Sequence, residues 1–355
     1  MDELNDTMTS LGTAERRPLV KRFKPALGYL LAVAGLIWVL HDVHPAKLLE
    51  GLTGIDWRLI APALACDVLS YICQGWRWRL LLRPVGEIST LRTTQAIYAG
   101  LFTNEILPMR IGELARAWLV SRWASAKFLA IIPSIVVERL FDGIWVAIGV
   151  GLTASFAPLP KSLLAAGETF GAIIILAVSL CAFLAFRKRE SGAERARLHF
   201  PNWKPLRGIA SLLERFGDGL RETGRTRAFY LAFALSPVFI LLQMLAYWLI
   251  MLGYGIRLSF WIGMAVFLIV HLGTAIPNAP ANVGSYQFFT VLGLTLFGAD
   301  KTRATGFSLV VFALLTLPLF VIGFIALSRS GTTLMEIRRE FKNESGQWTV
   351  GSGRS

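Results

Sequence analysis

Apolar residues gather in runs that cross or nearly cross a bilayer, at about 24–43, 57–82, 93–108, 126–157, 168–187, 228–253, 260–276, 280–298 and 304–327. A helix needs about 20 apolar residues to span a 30 Å hydrocarbon core. The pattern predicts an all-α polytopic integral membrane protein with about eight transmembrane helices plus short or re-entrant broken helices. The run at 126–157 is too long for one helix and is interrupted by Glu138, Arg139 and Asp142. It is expected to comprise a short or re-entrant piece followed by a full span.

The runs also repeat. Trp57 to Pro108 is 51 residues and Ala228 to Pro277 is 49, while Pro108 to Ala157 is 49 and Pro277 to Leu327 is 50. Two units of similar length follow, each broken near its middle by Pro and Gly, and charge-based topology would invert one relative to the other. Inverted repeats with matching broken helices characterise many transporters, whose sites form where the half-helices meet. The division expected is an N-terminal segment at 1–24, a first membrane bundle at 25–187, a basic linker at 188–227, a second bundle at 228–327 and a tail at 328–355.

Composition agrees with the membrane class: 54% of the 355 residues are hydrophobic, 17% are charged and the mean hydropathy is +0.56. The net charge of +13 would suggest nucleic acid in a soluble protein. Here Lys and Arg gather at the ends and gaps of apolar runs, so they read as topology signals and contacts to anionic headgroups, with no nucleic-acid partner. Arg77, Arg79, Arg83 and Arg92 at the end of the second span, and the basic 187–227 segment, are assigned to the cytoplasm, which puts the PLPKSLLAAGE loop outside and both termini inside. Within the linker, Leu206, Ile209, Leu212, Leu213 and Phe216 fit one face of a surface helix, and a solvated linker fits as well. Cys66, Cys73 and Cys181 lie in apolar runs without a CxxC or Cys/His pattern, so neither zinc nor a disulfide framework is indicated, and no metal or cofactor is expected.

Charge inside the apolar runs marks the candidate chemistry. Arg110, Glu113 and Arg116 lie in PMRIGELARAWLV, and Glu138, Arg139 and Asp142 in SIVVERLFDGIWV. Six such residues facing lipid would cost on the order of 15–20 kcal/mol, so they must pair, line a wet cavity or hold a ligand. Pro108 and Gly112 interrupt the first helix, and Arg110, Glu113 and Arg116 at i, i+3 and i+6 are placed to pair along it. Guanidinium groups match phosphate oxygens bidentately, which suits a lipid headgroup. Arg139 can reach Asp142 at i+3, and the six charges sum to zero, so a purely structural ion network stands beside the headgroup site.

A third motif, IPNAPANVGSYQ, places Asn278, Pro280, Asn282, Gly284 and Gln287 in a break at membrane depth. Such a break is tolerated only where protein or water covers the backbone. A helix opening at Ser285 would favour an anion at its N-terminus, and a tight turn at the cytoplasmic surface is the alternative. Asp67, Gln243 and His271 are expected to satisfy interhelical hydrogen bonds, and Trp57, Trp76 and Trp78 to anchor span ends at the interface.

In this order, PMRIGELAR, SIVVERLFD and NAPANVG resemble the lysylphosphatidylglycerol synthase transmembrane, or flippase-like, family over roughly residues 25–330. The resemblance implies a lipid translocase of the bacterial inner membrane. By matching position it carries over Arg110, Gly112, Glu113, Arg116, Glu138, Arg139, Asp142, Pro280 and Gly284. The aminoacyl-transferase domain of bifunctional members is not expected, since nothing after Leu327 could form it. Many members have glutamate where this chain has Gln287 and glycine where it has Ala281, which turns expectation from a cationic lipid toward an anionic phospholipid or a polyprenyl-linked or hopanoid-type lipid.

The expected function is therefore movement of a phosphate-bearing or related lipid between leaflets, without bond making, and a homo-oligomer is compatible with it. The other readings are a membrane enzyme acting on a lipid-linked substrate and an accessory subunit of envelope lipid or polysaccharide synthesis. An enzyme would need an Asp-x-Asp or a nucleophile with its base. The chain has no Asp-x-Asp, and its four histidines, His41, His44, His199 and His271, stand apart in sequence from the charged motifs.

Overall fold

The computed structural model describes residues 33–41, 53–107, 111–159, 161–186, 217–219, 221–222, 224, 226–274, 280–332 and 336. The N-terminal segment to Lys24, most of the basic linker with its candidate surface helix, most of the tail, Arg110 and Asn278 lie outside the described residues. Among those described there is no strand. After a helical stretch at 33–40 come α1 (Trp57–Leu81), α2 (Thr90–Ile106), α3 (Gly112–Trp123), α4 (Phe128–Phe156), α5 (Lys161–Phe186), α6 (Arg227–Gly253), α7 (Phe260–Gly273), α8 (Ser285–Leu296) and α9 (Lys301–Ser328).

Local sequence sets these helix starts. Asp56, Ser89, Thr226, Ser259 and Asp300 each accept a hydrogen bond from a backbone N–H of the first turn, at Arg58, Arg92, Phe229, Ile262 and Arg303. Such caps satisfy donors that the helix itself cannot. Among the described residues, four helices are long and apolar enough to cross a membrane: α1, α6, α9 and the Leu163–Phe183 part of α5.

One expectation is corrected. The 126–157 run forms a single helix of 29 residues, α4. Pro133 lies in its second turn, where few backbone bonds are at stake. Glu138, Arg139 and Asp142 do not break α4, because cations on neighbouring helices neutralise its carboxylates. The return of the chain occurs earlier, in the short pair α2 and α3.

The helices form two matching units, α1–α4 and α6–α9, each long, short, short, long. Their packing also matches under exchange of the units: α1 packs on α6, α2 on α9 and α7 on α4, while α2 pairs with α3 and α7 with α8. The equivalent helices α1 and α6 run antiparallel. The Asp56 N–H at the start of α1 donates to the Gly253 carbonyl at the end of α6, 2.9 Å away. Near the other end of α1, Arg77 meets Ser236, early in α6. A two-fold that exchanges antiparallel neighbours lies across the helices, so the two units are inverted relative to each other.

Each short pair is a hairpin held by close approach. A Cβ on Gly112 would overlap the Gly100 carbonyl oxygen, and the Gly112 N–H donates to Asn104 Oδ1 at 2.6 Å. In the second hairpin Gly273 lies against the Phe289 ring and Gly293 against Val266. The turn Pro280–Asn282 at the tip of this hairpin packs on α2, so the two hairpins touch.

Candidate functional site

Six charged side chains form one alternating series across three helices. Arg116 of α3 reaches Glu138 of α4 (Nη2–Oε2, 2.7 Å), and Glu138 also holds Arg77 of α1 (Oε1–Nη2, 2.8 Å). Arg77 bonds Asp142 (Nη1–Oδ1, 2.5 Å), Asp142 takes Arg139 (Oδ2–Nη1, 3.3 Å), and Arg139 ends on Glu113 (Nη2–Oε1, 2.9 Å). The order is Arg116, Glu138, Arg77, Asp142, Arg139, Glu113, with zero net charge. Four of the six are interior groups holding two partners each, which is how buried ions survive their desolvation cost.

Burial grades along this series. The side chains of Arg77 and Glu138 are 0% exposed, whereas those of Arg139 and Glu113 are 47% and 31% exposed. Aromatic faces complete the sealed end: the Arg77 guanidinium lies 5.0 Å from the Phe239 ring centre and that of Arg116 4.6 Å from the Trp78 ring. Arg77 also donates to Ser236 Oγ at 3.0 Å. The Nε groups of Arg77 and Arg116 are buried without an acceptor among the described residues. The open end is different. The Arg139 side chain is about half exposed, and a charged side chain facing hydrocarbon is costly, so this end is expected to meet water or the polar headgroup region.

The expected site residues are thus only partly brought together. Glu113, Arg116, Glu138, Arg139 and Asp142 join, and Arg139 pairs with Asp142 as the i+3 spacing predicts. Glu113 and Arg116 do not pair with each other. Both point across to α4. Gly112 contributes by its lack of a side chain, which lets α3 close on α2.

Asn282, Gly284 and Gln287 lie elsewhere, with Pro280, in the second hairpin. Ala281 and Asn282 adopt left-handed φ of 57° and 53°, and Gly284 has φ 85°. The Gly284 N–H donates to Gln287 Oε1 at 2.7 Å, so Gln287 caps its own helix. Tyr286 lies in electrostatic range of Asp67 and Tyr71 on α1 and Tyr247 on α6.

Two residues change role. Arg77, read as a flanking cytoplasmic charge, is the central cation of the series. Trp78, read as an interfacial anchor, is fully buried and donates its indole N–H to Ser134 Oγ at 3.0 Å. A signal for Arg77 was present in α1: Asp67, Ser70, Gln74 and Arg77 follow i, i+3, i+7, i+10 and all are buried. That spacing is one helix face. Arg79, out of phase with it, is exposed.

The series contains no nucleophile with a base, and no group of three or more His, Cys, Asp or Glu able to hold a metal occurs among the described residues. Its chemistry is that of guanidinium donors held beside carboxylates, suited to binding and releasing an anion.

Comparison with known proteins agrees with a membrane protein. A "UPF0104 membrane protein" of Methanothermobacter thermautotrophicus is 25% identical over 301 residues, covering 80% of this chain and 86% of the relative. "Glycosyltransferase AglD" of Haloferax volcanii is 23% identical over 309 residues, covering 78% of this chain and 49% of that protein, so the match spans about half of AglD. No solved structure matches the chain. The profile described as "Lysylphosphatidylglycerol synthase TM region" matches residues 26–323, and the chain belongs to that family.

Proposed function

We propose that this protein moves a phosphate-bearing lipid between the leaflets of a bacterial plasma membrane, with both termini in the cytoplasm. The observation that carries the reading is the half-exposed end of the charge series, where Arg139 stands beside Glu113. A headgroup phosphate can take the free face of Arg139 while Asp142 remains held by Arg77. Binding there leaves no carboxylate in the series without a cation except Glu113, which is partly open to solvent. Release reverses the exchange, and no covalent step is involved. Rocking of one unit against the other about the inverted repeat would expose the site to each leaflet in turn. Lipid headgroups are the only partners this scheme requires, with anionic headgroups also contacting the basic linker.

The test is reconstitution in liposomes carrying labelled phospholipids of several headgroups, with wild type compared with Arg139→Gln. Faster transbilayer movement than in protein-free vesicles, lost in the variant, is the expected result. Equal rates in all vesicles would sink the proposal.

A second reading, a part in glycosylation of a lipid-linked substrate, is favoured by the AglD match. Incubation with nucleotide sugars and polyprenyl phosphate separates the two, because transfer of sugar by the purified chain would support the enzyme.

A further inference from the structure

The charge series ends in the two groups that the protein covers least, and they are of opposite sign. Glu113 and Arg139 are both partly exposed, with Oε1 and Nη2 2.9 Å apart. Asp142, next in the series, is already down to 11% exposed, and the remaining members are more deeply buried. The accessible end therefore presents a negative hydrogen-bond acceptor beside positive donors.

This pair stands in an otherwise apolar stretch. Glu138, Arg139 and Asp142 are the only charged residues between Lys127 and Lys161, and Arg139 lies about 16 Å along α4 from its start. Both groups are also held in place. Asp142, itself fixed by Arg77, bonds Arg139 at 3.3 Å. A guanidinium has five N–H donors, so Arg139 can hold both carboxylates and still offer donors to a phosphate. Glu113 sits in the first turn of α3, which is tied to α2 by the 2.6 Å bond from the Gly112 N–H to Asn104 Oδ1. Groups positioned beforehand lose less freedom when a ligand binds.

A phosphate on Arg139 engages only half of this end, and it brings a negative charge close to Glu113. A ligand that also carries a positive charge can lie antiparallel to the pair, phosphate against guanidinium and ammonium against carboxylate. The Arg139–Glu113 contact need not break. Charges of the pair and the ligand then alternate, as those of the series already do, and the ligand adds no net charge.

We propose that the open end of the series recognises a zwitterionic headgroup of the phosphoethanolamine class, with its phosphate on Arg139 and its primary ammonium on Glu113. Two carbons separate the phosphate ester oxygen from the amine in such a headgroup, so its two charges are comparably close. A primary ammonium donates hydrogen bonds to a carboxylate, and a quaternary one has none to give. That the headgroup is carried on a lipid rests on the translocase reading, and Glu113 is then the residue that sets headgroup preference.

The experiment has a transport arm and a binding arm. Movement across liposome bilayers is followed with tail-labelled phosphatidylethanolamine, its N-acetylated form, phosphatidylcholine and phosphatidylglycerol. Thermal unfolding of the full-length protein in micelles is followed with the same lipids unlabelled, or with free phosphoethanolamine. Wild type is expected to move the ethanolamine lipid about tenfold faster than its N-acetylated form and to be stabilised most by it. Glu113→Gln should abolish that preference while phosphatidylglycerol still moves, and Glu113→Asp should restore part of it. The surface control Glu87→Gln should leave it intact.

Equal movement of the free and acetylated amine, a preference that survives Glu113→Gln, or slowing of every headgroup alike in that variant would overturn the proposal. Stabilisation by free phosphoethanolamine equal to that by the lipid would overturn the assignment to a lipid. Failure of all lipids to move, with amine-selective and Glu113-dependent stabilisation intact, would count against the translocase reading only.

Discussion

Replacing Arg77 by methionine tests the central link of the charge series. The substitution keeps an unbranched side chain but removes bonds to Glu138, Asp142 and Ser236. Hydrogen bonds to charged groups contribute about 1.5–3 kcal/mol each, and breaking a buried ion pair typically costs about 3–5 kcal/mol. Glu138 keeps Arg116 and Asp142 keeps Arg139, so the lower end, about 3 kcal/mol, is expected. Arg79, two residues along the same helix, is the control. It is exposed and donates to Thr90 at 3.3 Å, and Arg79→Met should cost below about 1 kcal/mol.

Unfolding in mixed micelles by added sodium dodecyl sulfate measures both. The double variant Arg77→Met with Asp142→Asn restores neutrality and should be less destabilised than the sum of the single variants by about 1–3 kcal/mol. Equal midpoints for the two arginine variants, or strictly additive effects, would refute the description of Arg77 as a buried link.

Arg139→Gln should leave the unfolding midpoint within about 1 kcal/mol of wild type, because its pairs are partly exposed, while lowering lipid movement in vesicles about tenfold or more. Gly112→Ala should destabilise by about 1–3 kcal/mol, since the added methyl overlaps the Gly100 carbonyl; a disulfide or spin-label distance between α2 and α3 should widen with it. Gln287→Leu removes the acceptor for the Gly284 N–H at a cost of about 1 kcal/mol, read as faster hydrogen exchange at the start of α8. Trp78→Phe loses the bond to Ser134 and should lower stability by about 1 kcal/mol in the same micelle assay.

The membrane class, the two-unit spacing and five members of the charge series are legible because hydrophobic length and buried charge leave strong marks on a sequence. Arg77 is obscured by company: it stands among Arg79, Arg83 and Arg92, and a positive-inside reading treats the four alike. Only helical phase separates it, through the buried stripe of Asp67, Ser70, Gln74 and Arg77. The continuity of α4 is hidden for a related reason. Its three charges look like a break until their partners on α1 and α3 are known, and those partners are distant in sequence. Gln287 offers a carboxamide that could meet a ligand, but its distance to the Gly284 N–H depends on a left-handed turn that residue order alone does not define.

The inverted repeat has a further consequence. Its two units match in helix length and packing, yet all six members of the charge series come from the first, and the second has uncharged helix interiors at 228–253 and 304–327. The molecule is symmetric in shape and lopsided in its electric field. If the hairpins trade roles as the proposed function requires, the two conformations have like outline and unlike energy, so one of them is the more populated at rest. Such a bias sets populations and rates, whereas net direction comes only from a gradient of the passenger or of an ion.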